Sequence, residues 1–318
     1  MILLKVRGLK AYYEVRGGYV KAVDGVSINL EEDVILGVAG ESGCGKSTLA
    51  NALMMNIKPP LRLVEGIVEI NGITISKMDK DFLKKNVWGK LVSLIPQSAL
   101  NALMPTMKIK DFIIEVVKQH EELDESEIVS MAEKRFEELG LPVTALNLYP
   151  HELSGGMRQR VCIAMSICLN PKLVFADEPI TGLDVVMQKL NLQTLGDLRD
   201  KFGITVVMVA HDMACHAEIC DRICIMYAGK VLEIGSTFDI FSDPLHPYTK
   251  GLLSAVPSLE KKDLKGIPGL APSPLEWPSG CRFHPRCSYR MKICEEQEPI
   301  LKEVQPGRSV ACFLYGGE

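Results

Sequence analysis

A glycine-rich turn near the N-terminus constrains the fold of this chain more than any other feature of its sequence. The turn fits the pattern G-x-x-x-x-G-K-[ST] and reads Gly40-Glu41-Ser42-Gly43-Cys44-Gly45-Lys46-Ser47-Thr48. An apolar predicted strand, residues 34–38, precedes it, and a predicted helix, residues 46–55, follows it. Such a loop binds phosphate because its backbone N–H groups converge on an anion at a helix N-terminus. Lys46 is expected to reach the β- and γ-phosphates, and the Ser47 hydroxyl to ligate Mg²⁺.

The order of the predicted elements indicates an α/β fold. Further buried strands are predicted at residues 91–95, 173–176, 204–209 and 222–227, and leucines at helical spacing lie between two of them. Alternation of strands and helices favours a mainly parallel sheet covered by helices. Between Pro105 and Glu152 the pattern is helical alone, which predicts an inserted helical subdomain at about residues 100–165.

Length and composition exclude several classes of protein. A chain of 318 residues exceeds the usual limit for a single core, so an appendage is expected. Prolines crowd after Val256, which predicts a main domain at 1–255 and a linker with a small loop-rich module at 256–318. A formal net charge of −4 argues against binding to nucleic acid. Neither a secretory signal nor a membrane-spanning helix is expected, so the ten cysteines should be thiols or metal ligands.

Two carboxylates follow one of the buried strands. The apolar run Leu173–Ala176 ends in Asp177 and Glu178. Ligands of α/β proteins bind at the carboxyl ends of the strands, which is where these two side chains are expected. Asp177 is therefore expected to hold hydrated Mg²⁺, and Glu178 to polarise an attacking water as general base.

Several further motifs resemble those of the ATP-binding cassette (ABC) family, in the order that the family has them. The segment 153–160, Leu-Ser-Gly-Gly-Met-Arg-Gln-Arg, is similar to the family signature, and Thr181-Gly182-Leu183-Asp184 is similar to its D-loop. Gln97 follows a predicted strand like the Q-loop glutamine, His211 follows another like the switch histidine, and Tyr13 stands where the family stacks an aromatic ring on adenine. The resemblance covers about residues 1–255 and implies a P-loop NTPase core, the ABC cassette, with an antiparallel β subdomain and the inserted helical subdomain.

The resemblance implies roles for these residues at an ATP site with Mg²⁺. Gln97 joins Ser47 and Asp177 around the metal ion, and His211 holds the γ-phosphate and the attacking water. Two cassettes face each other in the family, so that the signature of one subunit closes on the ATP of the other. The residues implied at that shared nucleotide site are Ser154, Gly155, Gly156 and Asp184 of this chain.

The last forty residues contain four cysteines, at the spacing C-x₅-C-x₆-C-x₁₇-C. They are Cys281, Cys287, Cys294 and Cys312. A loop-rich module with little apolar core gains folding energy from a bound metal. The spacing leaves three interpretations open, namely an iron–sulfur cluster, a zinc site or structural thiols.

Two segments near the C-terminus resemble the oligopeptide/dipeptide permease branch of the ABC family. They are residues 278–287, Pro-Ser-Gly-Cys-Arg-Phe-His-Pro-Arg-Cys, and residues 243–249, Asp-Pro-Leu-His-Pro-Tyr-Thr. Some members of that branch carry a 4Fe–4S cluster on these cysteines, so the resemblance favours the cluster over zinc. Five other cysteines fall on apolar helix or strand patterns and are predicted to be buried core side chains, namely Cys162, Cys168, Cys215, Cys220 and Cys224. Cys44 differs because Lys46 and a helix N-terminus should lower its pKa, so its modification is hypothesised to block ATP binding. The alternative is that Cys44 is a small side chain tolerated in the loop.

The resemblance implies that the chain is the ATPase subunit of an importer for peptides or similar solutes. It further implies a second ATPase subunit, favoured as a different homologous chain, two transmembrane permease subunits and, indirectly, an extracellular solute-binding protein. The chain would lie at the cytoplasmic face of the membrane. Residues 98–113 are expected either to contact the permease subunits or to pack within the helical subdomain. Alternatives are an importer of oligosaccharides or nickel, a soluble ABC ATPase without a transport role, and an electron carrier or sensor.

Overall fold

The computed structural model of the chain describes residues 1–97, 102–256 and 266–316. The first four residues of the expected permease contact, 98–101, and residues 257–265 of the expected linker lie outside the described residues. The strands are β1 (Ile2–Val15), β2 (Gly18–Glu31), β3 (Ile35–Ala39), β4 (Leu61–Ile70), β5 (Ile73–Thr74), β6 (Val92–Ile95), β7 (Leu173–Asp177), β8 (Thr205–Val209), β9 (Arg222–Tyr227), β10 (Lys230–Ser236), β11 (Lys302–Gln305) and β12 (Arg308–Val310). The helices are α1 (Lys46–Leu53), α2 (Lys80–Phe82), α3 (Ile109–Lys118), α4 (Glu125–Glu138), α5 (Gly155–Ser166), α6 (Val185–Phe202), α7 (Met213–Ile219), α8 (Thr237–Ser242), α9 (Pro247–Ser254) and α10 (Lys292–Glu296).

The chain forms two compact units. The first, called the helical unit, comprises Met1, Glu31–Ile35 and Gly72–Val209. The second, called the phosphate-loop unit, comprises Ile2–Leu30, Leu36–Asn71 and Ala210–Glu318. Each unit therefore draws on segments that are distant in sequence. The separate module predicted at 256–318 stays a prediction.

Three parallel strands organise the helical unit. Strand β7 pairs with β6 on one side and with β8 on the other, and the register places Ala176 beside Ile95 and Asp177 beside Val209. Residues Leu173–Ala176 are completely buried, as expected for a parallel strand in a covered sheet. The register brings the carboxyl ends of all three strands to one edge, which is where the side chains that follow them are presented.

The inserted segment of the helical unit is helical, as the sequence predicts. Between Pro105 and Glu152 all residues are described, and they form α3, α4 and short 3₁₀ turns with no strand. Helix α4 begins with a capping box in which Asp124 and Glu127 satisfy each other's free N–H groups. Its residues Ile128, Ala132 and Phe136 recur at four-residue spacing and are buried. One apolar face thus packs this segment, and the charged face remains exposed.

The phosphate-loop unit contains a mixed sheet and an antiparallel sheet. In the mixed sheet β3 pairs in parallel with β9, β9 pairs with β10, and the hairpin β11–β12 adds to the far edge of β10. In the antiparallel sheet β1 lies between β2 and β4. Residues 266–301 consist mostly of loops and short turns, as predicted, whereas the hairpin at 302–310 was not predicted.

A buried ion pair joins the C-terminal hairpin to β10. The Arg308 guanidinium lies 3.4 Å from the Glu233 carboxylate, and the two side chains are 3% and 0% exposed. The same carboxylate accepts hydrogen bonds from the backbone N–H groups of Leu245 and His246, both at 2.9 Å. Arg308 also donates to the carbonyl oxygen of Asp243. Because a buried charge is costly unless it is paired and hydrogen-bonded, these residues depend on one another.

Candidate functional site

The backbone of the glycine-rich loop requires glycine at two positions for lack of space. Gly40 and Gly45 have φ angles of 152° and 108°, a region that other residues rarely adopt. A Cβ atom at Gly40 would lie 2.2 Å from the carbonyl oxygen of Met226, and one at Gly45 would lie 2.0 Å from that of Ala22. The loop therefore runs directly against β9 and β2, and its opposite side is free to meet a ligand.

Lys46 begins helix α1 and reaches back over the loop. Its ammonium group donates to the carbonyl oxygens of Gly40 at 2.8 Å and Glu41 at 3.1 Å. Ser47 is exposed beside it, in the first turn of the helix, where backbone N–H groups lack helical partners. Ser42 and Gly43 are exposed as well. The loop thus presents a cation, a hydroxyl and the backbone N–H groups of a helix N-terminus together, which is the donor set for a phosphate with its metal ion.

Two adjacent tyrosines on β1 have different surroundings. The hydroxyl of Tyr13 lies 3.1 Å from the hydroxyl of Thr48 in the phosphate loop. The hydroxyl of Tyr12 instead donates to Asp24 at 2.5 Å, and burial together with this bond raises the pKa of Tyr12. Successive residues of a strand point to opposite faces, so only one of the two tyrosines faces the loop. This geometry supports the prediction that Tyr13 is the residue that meets the nucleotide.

Cys44 does not have the lowered pKa that the sequence suggests. The side chain is only 4% exposed, and this burial raises the pKa of the thiol although Lys46 acts in the opposite direction. The desolvation of a thiolate therefore outweighs the nearby positive charge. The reactive thiol hypothesised from the sequence is wrong in its physical premise, and Cys44 is a small buried side chain within the loop.

In the helical unit, the edge formed by the parallel strands gathers the predicted general base and its neighbours. Glu178 follows β7, and one oxygen of its carboxylate accepts hydrogen bonds from the Gln97 amide at 2.8 Å and the Thr181 hydroxyl at 3.1 Å. Gln97 lies two residues beyond β6, so the strand register itself brings it to Glu178. The backbone of Glu178 has a φ of 47°, and its N–H donates to Val209 at the end of β8. Gln97 and Thr181 thereby hold the carboxylate of Glu178, and Val209 holds its backbone.

The predicted catalytic and nucleotide-binding residues divide between the two units. Asp177 ends β7 and is half-buried beside Glu178 in the helical unit. His211 is exposed, and with Lys46 and Ser47 it belongs to the phosphate-loop unit. The roles assigned to these residues stay predictions.

The signature and D-loop segments cap neighbouring helices of the helical unit. The Ser154 hydroxyl accepts from the N–H of Met157 at the start of α5, and the Asp184 carboxylate accepts from the N–H of Met187 at the start of α6. The helix begins at Gly155 because Ser154 is its cap. A Cβ atom at Gly156 would lie 1.6 Å from the Met187 side chain, a contact that the sequence did not reveal. Ser154, Gly155 and Asp184 are exposed.

The C-terminal cysteines surround one cavity in the phosphate-loop unit. Its lining includes Cys281, Cys287, Cys294 and Cys312, together with His246 and His284. Backbone N–H groups two residues further along bond to three of the four sulfurs, and all four cysteines are free thiols. Burial raises the pKa of Cys281 to about 11. Among the described residues no group of three or more His, Cys, Asp or Glu side chains is arranged to hold a metal ion.

The other cysteines and the two cavity histidines behave as packing residues. Burial lowers the pKa of His246 to about 3, and its ring accepts a hydrogen bond from the N–H of Tyr248 as the cap of α9. His284 bonds to the carbonyl oxygen of Cys281. The prediction of buried core side chains is confirmed for Cys162, Cys168, Cys215, Cys220 and Cys224.

Two residues that bond to the phosphate loop were not singled out in the sequence. The Arg286 guanidinium forms two hydrogen bonds with the Glu41 carboxylate, at 2.7 and 2.9 Å. The backbone N–H of Glu41 donates to the Tyr248 hydroxyl at 2.9 Å. Arg286 and Tyr248 both lie in the segments that resemble the permease branch. That location was the only signal in the sequence that could have pointed to them.

Comparison with known proteins identifies the family to which this arrangement belongs. Residues 23–181 match the family model described as "ABC transporter". The chain belongs to the ABC transporter family. It is an ATP-binding cassette subunit, and the cassettes of this family hydrolyse ATP to power transport. Residues 232–294 also match the model described as "Oligopeptide/dipeptide transporter, C-terminal region".

Relatives and solved structures of ABC proteins cover most of the chain. It is 40% identical to the dipeptide transport ATP-binding protein DppD of Caldanaerobacter subterraneus subsp. tengcongensis over 99% of this chain and 97% of that protein. It is 38% identical to the oligopeptide transport ATP-binding protein OppD of Escherichia coli K12, over 98% of this chain and 93% of that protein. A dimeric post-hydrolysis structure of the cassette MJ0796 with ADP and Pi is similar over 74% of this chain and 99% of its own, with a TM-score of 0.65 and 26% identity. The predicted ABC cassette fold is confirmed.

Proposed function

We propose that this ABC ATPase powers the import of dipeptides or oligopeptides. Two relatives that align over nearly the full chain carry dipeptide or oligopeptide transport in their names. The match to the C-terminal region of oligopeptide/dipeptide transporters supports the same cargo. The observation that carries the catalytic part is the Glu178 carboxylate, which Gln97 and Thr181 hold at the ends of the parallel strands.

The proposed chemistry is attack of water on the γ-phosphate of ATP. Glu178 accepts a proton from the water, whose oxygen forms a bond to the γ-phosphorus as the bond to the bridging oxygen breaks. Lys46 neutralises the phosphate charge, and His211 holds the γ-phosphate. The residues proposed to hold Mg²⁺, directly or through water, are Ser47, Gln97 and Asp177. The loop geometry and the exposed Ser47 support this assignment.

Transport requires partners beyond this chain. Exposed Ser154, Gly155 and Asp184 support an ATP-dependent contact with a second cassette, for which we propose a homologous different chain. Val185 and Val186, at the start of α6, are 80% and 76% exposed, which favours coverage by that partner. None of the described helices is both long and apolar enough to cross a membrane. We therefore propose two separate permease subunits, a peripheral position at the cytoplasmic face of the membrane, and solute delivery by an extracellular binding protein.

Reconstitution in vesicles tests the cargo. With its partner ATPase and permease subunits, the chain is expected to drive ATP-dependent uptake of a labelled dipeptide, and ADP should support none. The buffer outside the vesicles contains the solute-binding protein of the same transporter. Labelled maltotriose and Ni²⁺ are assayed in the same way as the alternative cargoes. Uptake of either competitor without peptide uptake contradicts the peptide assignment, and failure to co-purify with membrane subunits favours a soluble ABC ATPase.

We further propose that Cys281, Cys287, Cys294 and Cys312 hold a 4Fe–4S cluster. The four side chains line one cavity, and residues 278–287 resemble the permease branch. Burial raises the pKa of the Cys281, Cys287 and Cys312 thiols although backbone N–H groups act in the opposite direction, so binding of the metal would have to displace the thiol protons. When bound, such a cluster cross-links loops that have little apolar core of their own.

Metal analysis of anaerobically purified protein tests the cluster. We expect about four iron and four acid-labile sulfide per chain. Cys281→Ser or Cys294→Ser should lower both, because each removes a ligand, whereas Cys162→Ala, a buried cysteine far from the cavity in sequence, should retain both. Zinc without acid-labile sulfide would support a zinc site instead. Absence of both iron and zinc would mean that the four cysteines are structural thiols.

A further inference from the structure

We propose that Arg286 is a positioning residue of the nucleotide site, because its ion pair with Glu41 holds the phosphate loop in the form that binds ATP. This inference rests on the proposed role of residues 40–48 as the phosphate site. It adds a residue from the C-terminal segment to the machinery that prepares that site. All the residues concerned belong to the phosphate-loop unit.

The two ion-paired groups are well placed to constrain each other. Both terminal nitrogens of Arg286 bond to the Glu41 carboxylate, and the arginine side chain is 7% exposed. A fork-like pair of this kind fixes direction as well as distance. Arg286 is itself held, since its Nε donates to the carbonyl oxygen of Pro268 at 2.9 Å and its guanidinium lies 5.8 Å from the centre of the Tyr227 ring. The pair therefore anchors Glu41 to a fixed point.

Glu41 transmits this constraint to the residues that meet phosphate. Its carbonyl oxygen accepts the hydrogen bond from Lys46, and it also accepts one from the N–H of Cys44 at 3.2 Å. Its own N–H is held by Tyr248, a fully buried side chain. The side chain and both backbone groups of Glu41 are thus engaged, so its position sets those of Lys46 and of the loop backbone.

The side of the phosphate loop that faces residues 271–277 is loosely packed, so the loop depends on the Arg286–Glu41 ion pair there. A cavity of about 220 Å³ lies against residues 41–44 and is closed by Ala271, Pro272, Pro274 and Trp277. On this side the loop lacks the dense packing that immobilises a core segment. The Arg286–Glu41 ion pair joins the loop to the C-terminal segment. Its hydrogen bonds therefore fix the position of the loop on the side where close packing is missing.

The pair also has an electrostatic role. Without Arg286 the Glu41 carboxylate would remain in the loop as an uncompensated negative charge, close to where the phosphates bind. Like charges at short range in partly buried surroundings repel strongly, so ATP binding should weaken. Removing both charges relieves this repulsion. The effects of changing Arg286 and Glu41 are therefore expected to be coupled.

A double-mutant cycle on the full chain tests the proposal, with the affinity for ATP measured by equilibrium dialysis. Arg286→Ala is expected to raise the Kd for ATP about tenfold, which corresponds to about 1.4 kcal/mol. Arg286→Ala combined with Glu41→Gln should bind better than Arg286→Ala alone, and Arg286→Lys should restore part of the loss because it returns the charge. In steady-state assays of Arg286→Ala the KM for ATP should rise while kcat changes less than twofold.

Controls separate this inference from the proposed function. Arg290→Ala changes an exposed arginine of the same segment and should leave the Kd unchanged. Lys46→Ala should abolish binding, and if it binds ATP as well as the unaltered chain, the assignment of the phosphate site itself fails. If Lys46→Ala behaves as expected, a Kd for Arg286→Ala within twofold of the unaltered chain overturns the positioning role. Independent, multiplicative effects of the two changes in the cycle also overturn it.

Discussion

Glu178→Gln is expected to lower ATP hydrolysis about 10²- to 10⁴-fold while ATP binding survives, because glutamine cannot accept the proton of the attacking water. The amide preserves the shape of the side chain and still offers an oxygen to Gln97 and Thr181, which bond to the native carboxylate. Loss of the base therefore leaves the local structure in place. The cassette dimer should accumulate with ATP bound, since hydrolysis is the step that reopens it.

Two measurements on the same preparation check this result. Phosphate release gives the turnover rate, and light scattering after size-exclusion chromatography gives the dimer fraction with ATP. Glu133→Gln, an exposed glutamate on helix α4, is the matched control and should behave like the unaltered chain. Normal turnover of Glu178→Gln would show that another group is the general base.

Arg308→Met should destabilise the phosphate-loop unit by about 3–5 kcal/mol, because it leaves the fully buried Glu233 carboxylate without its counterion. The loss is too large to be explained by the removed arginine contacts alone. Adding Glu233→Gln should recover part of the stability. The amide is neutral, and its one oxygen can still accept from the N–H of either Leu245 or His246, which bond to different oxygens of the native carboxylate.

Urea unfolding followed by tryptophan fluorescence measures this effect, because Trp277 lies in the phosphate-loop unit and Trp88 in the helical unit. Arg290→Met removes an exposed arginine and should shift the midpoint little. A double variant that is less stable than Arg308→Met alone would mean that the buried charge is not the source of the loss.

The buried strands of the parallel core could be predicted from the sequence for a physical reason. Strands that are covered on both faces read as continuous apolar runs, and the predicted run at 222–227 has the bounds of β9. Predicted residues 34–38 differ from β3 by one residue at each end, and predicted residues 173–176 differ from β7 by one residue at the C-terminal end. The hairpin β11–β12 escaped prediction because its strands are short, and Lys302–Gln305 is mostly exposed and polar.

The site was predictable where chemistry is local in sequence and unpredictable where it depends on burial or distant contacts. A pattern of residues identifies Lys46 as a phosphate ligand, since strand, glycines and helix are consecutive. The same pattern misjudged Cys44, because adjacency along the chain shows the lysine but not the burial that raises the thiol pKa. The Arg286–Glu41 pair joins residues 245 positions apart, and no periodicity or spacing encodes such a contact.

The division of the phosphate-loop unit between both ends of the chain has a consequence for the order of events during synthesis. The helical segment Gly72–Val209 is contiguous and can fold as soon as it has left the ribosome. The phosphate loop is made early but must wait for Arg286, which follows Glu41 by 245 residues. At ordinary translation rates of roughly 5–20 residues per second the delay is on the order of 10–50 s. During synthesis the chain therefore passes through a period in which its helical segment can be folded while its ATP-binding loop still lacks the Arg286 contact.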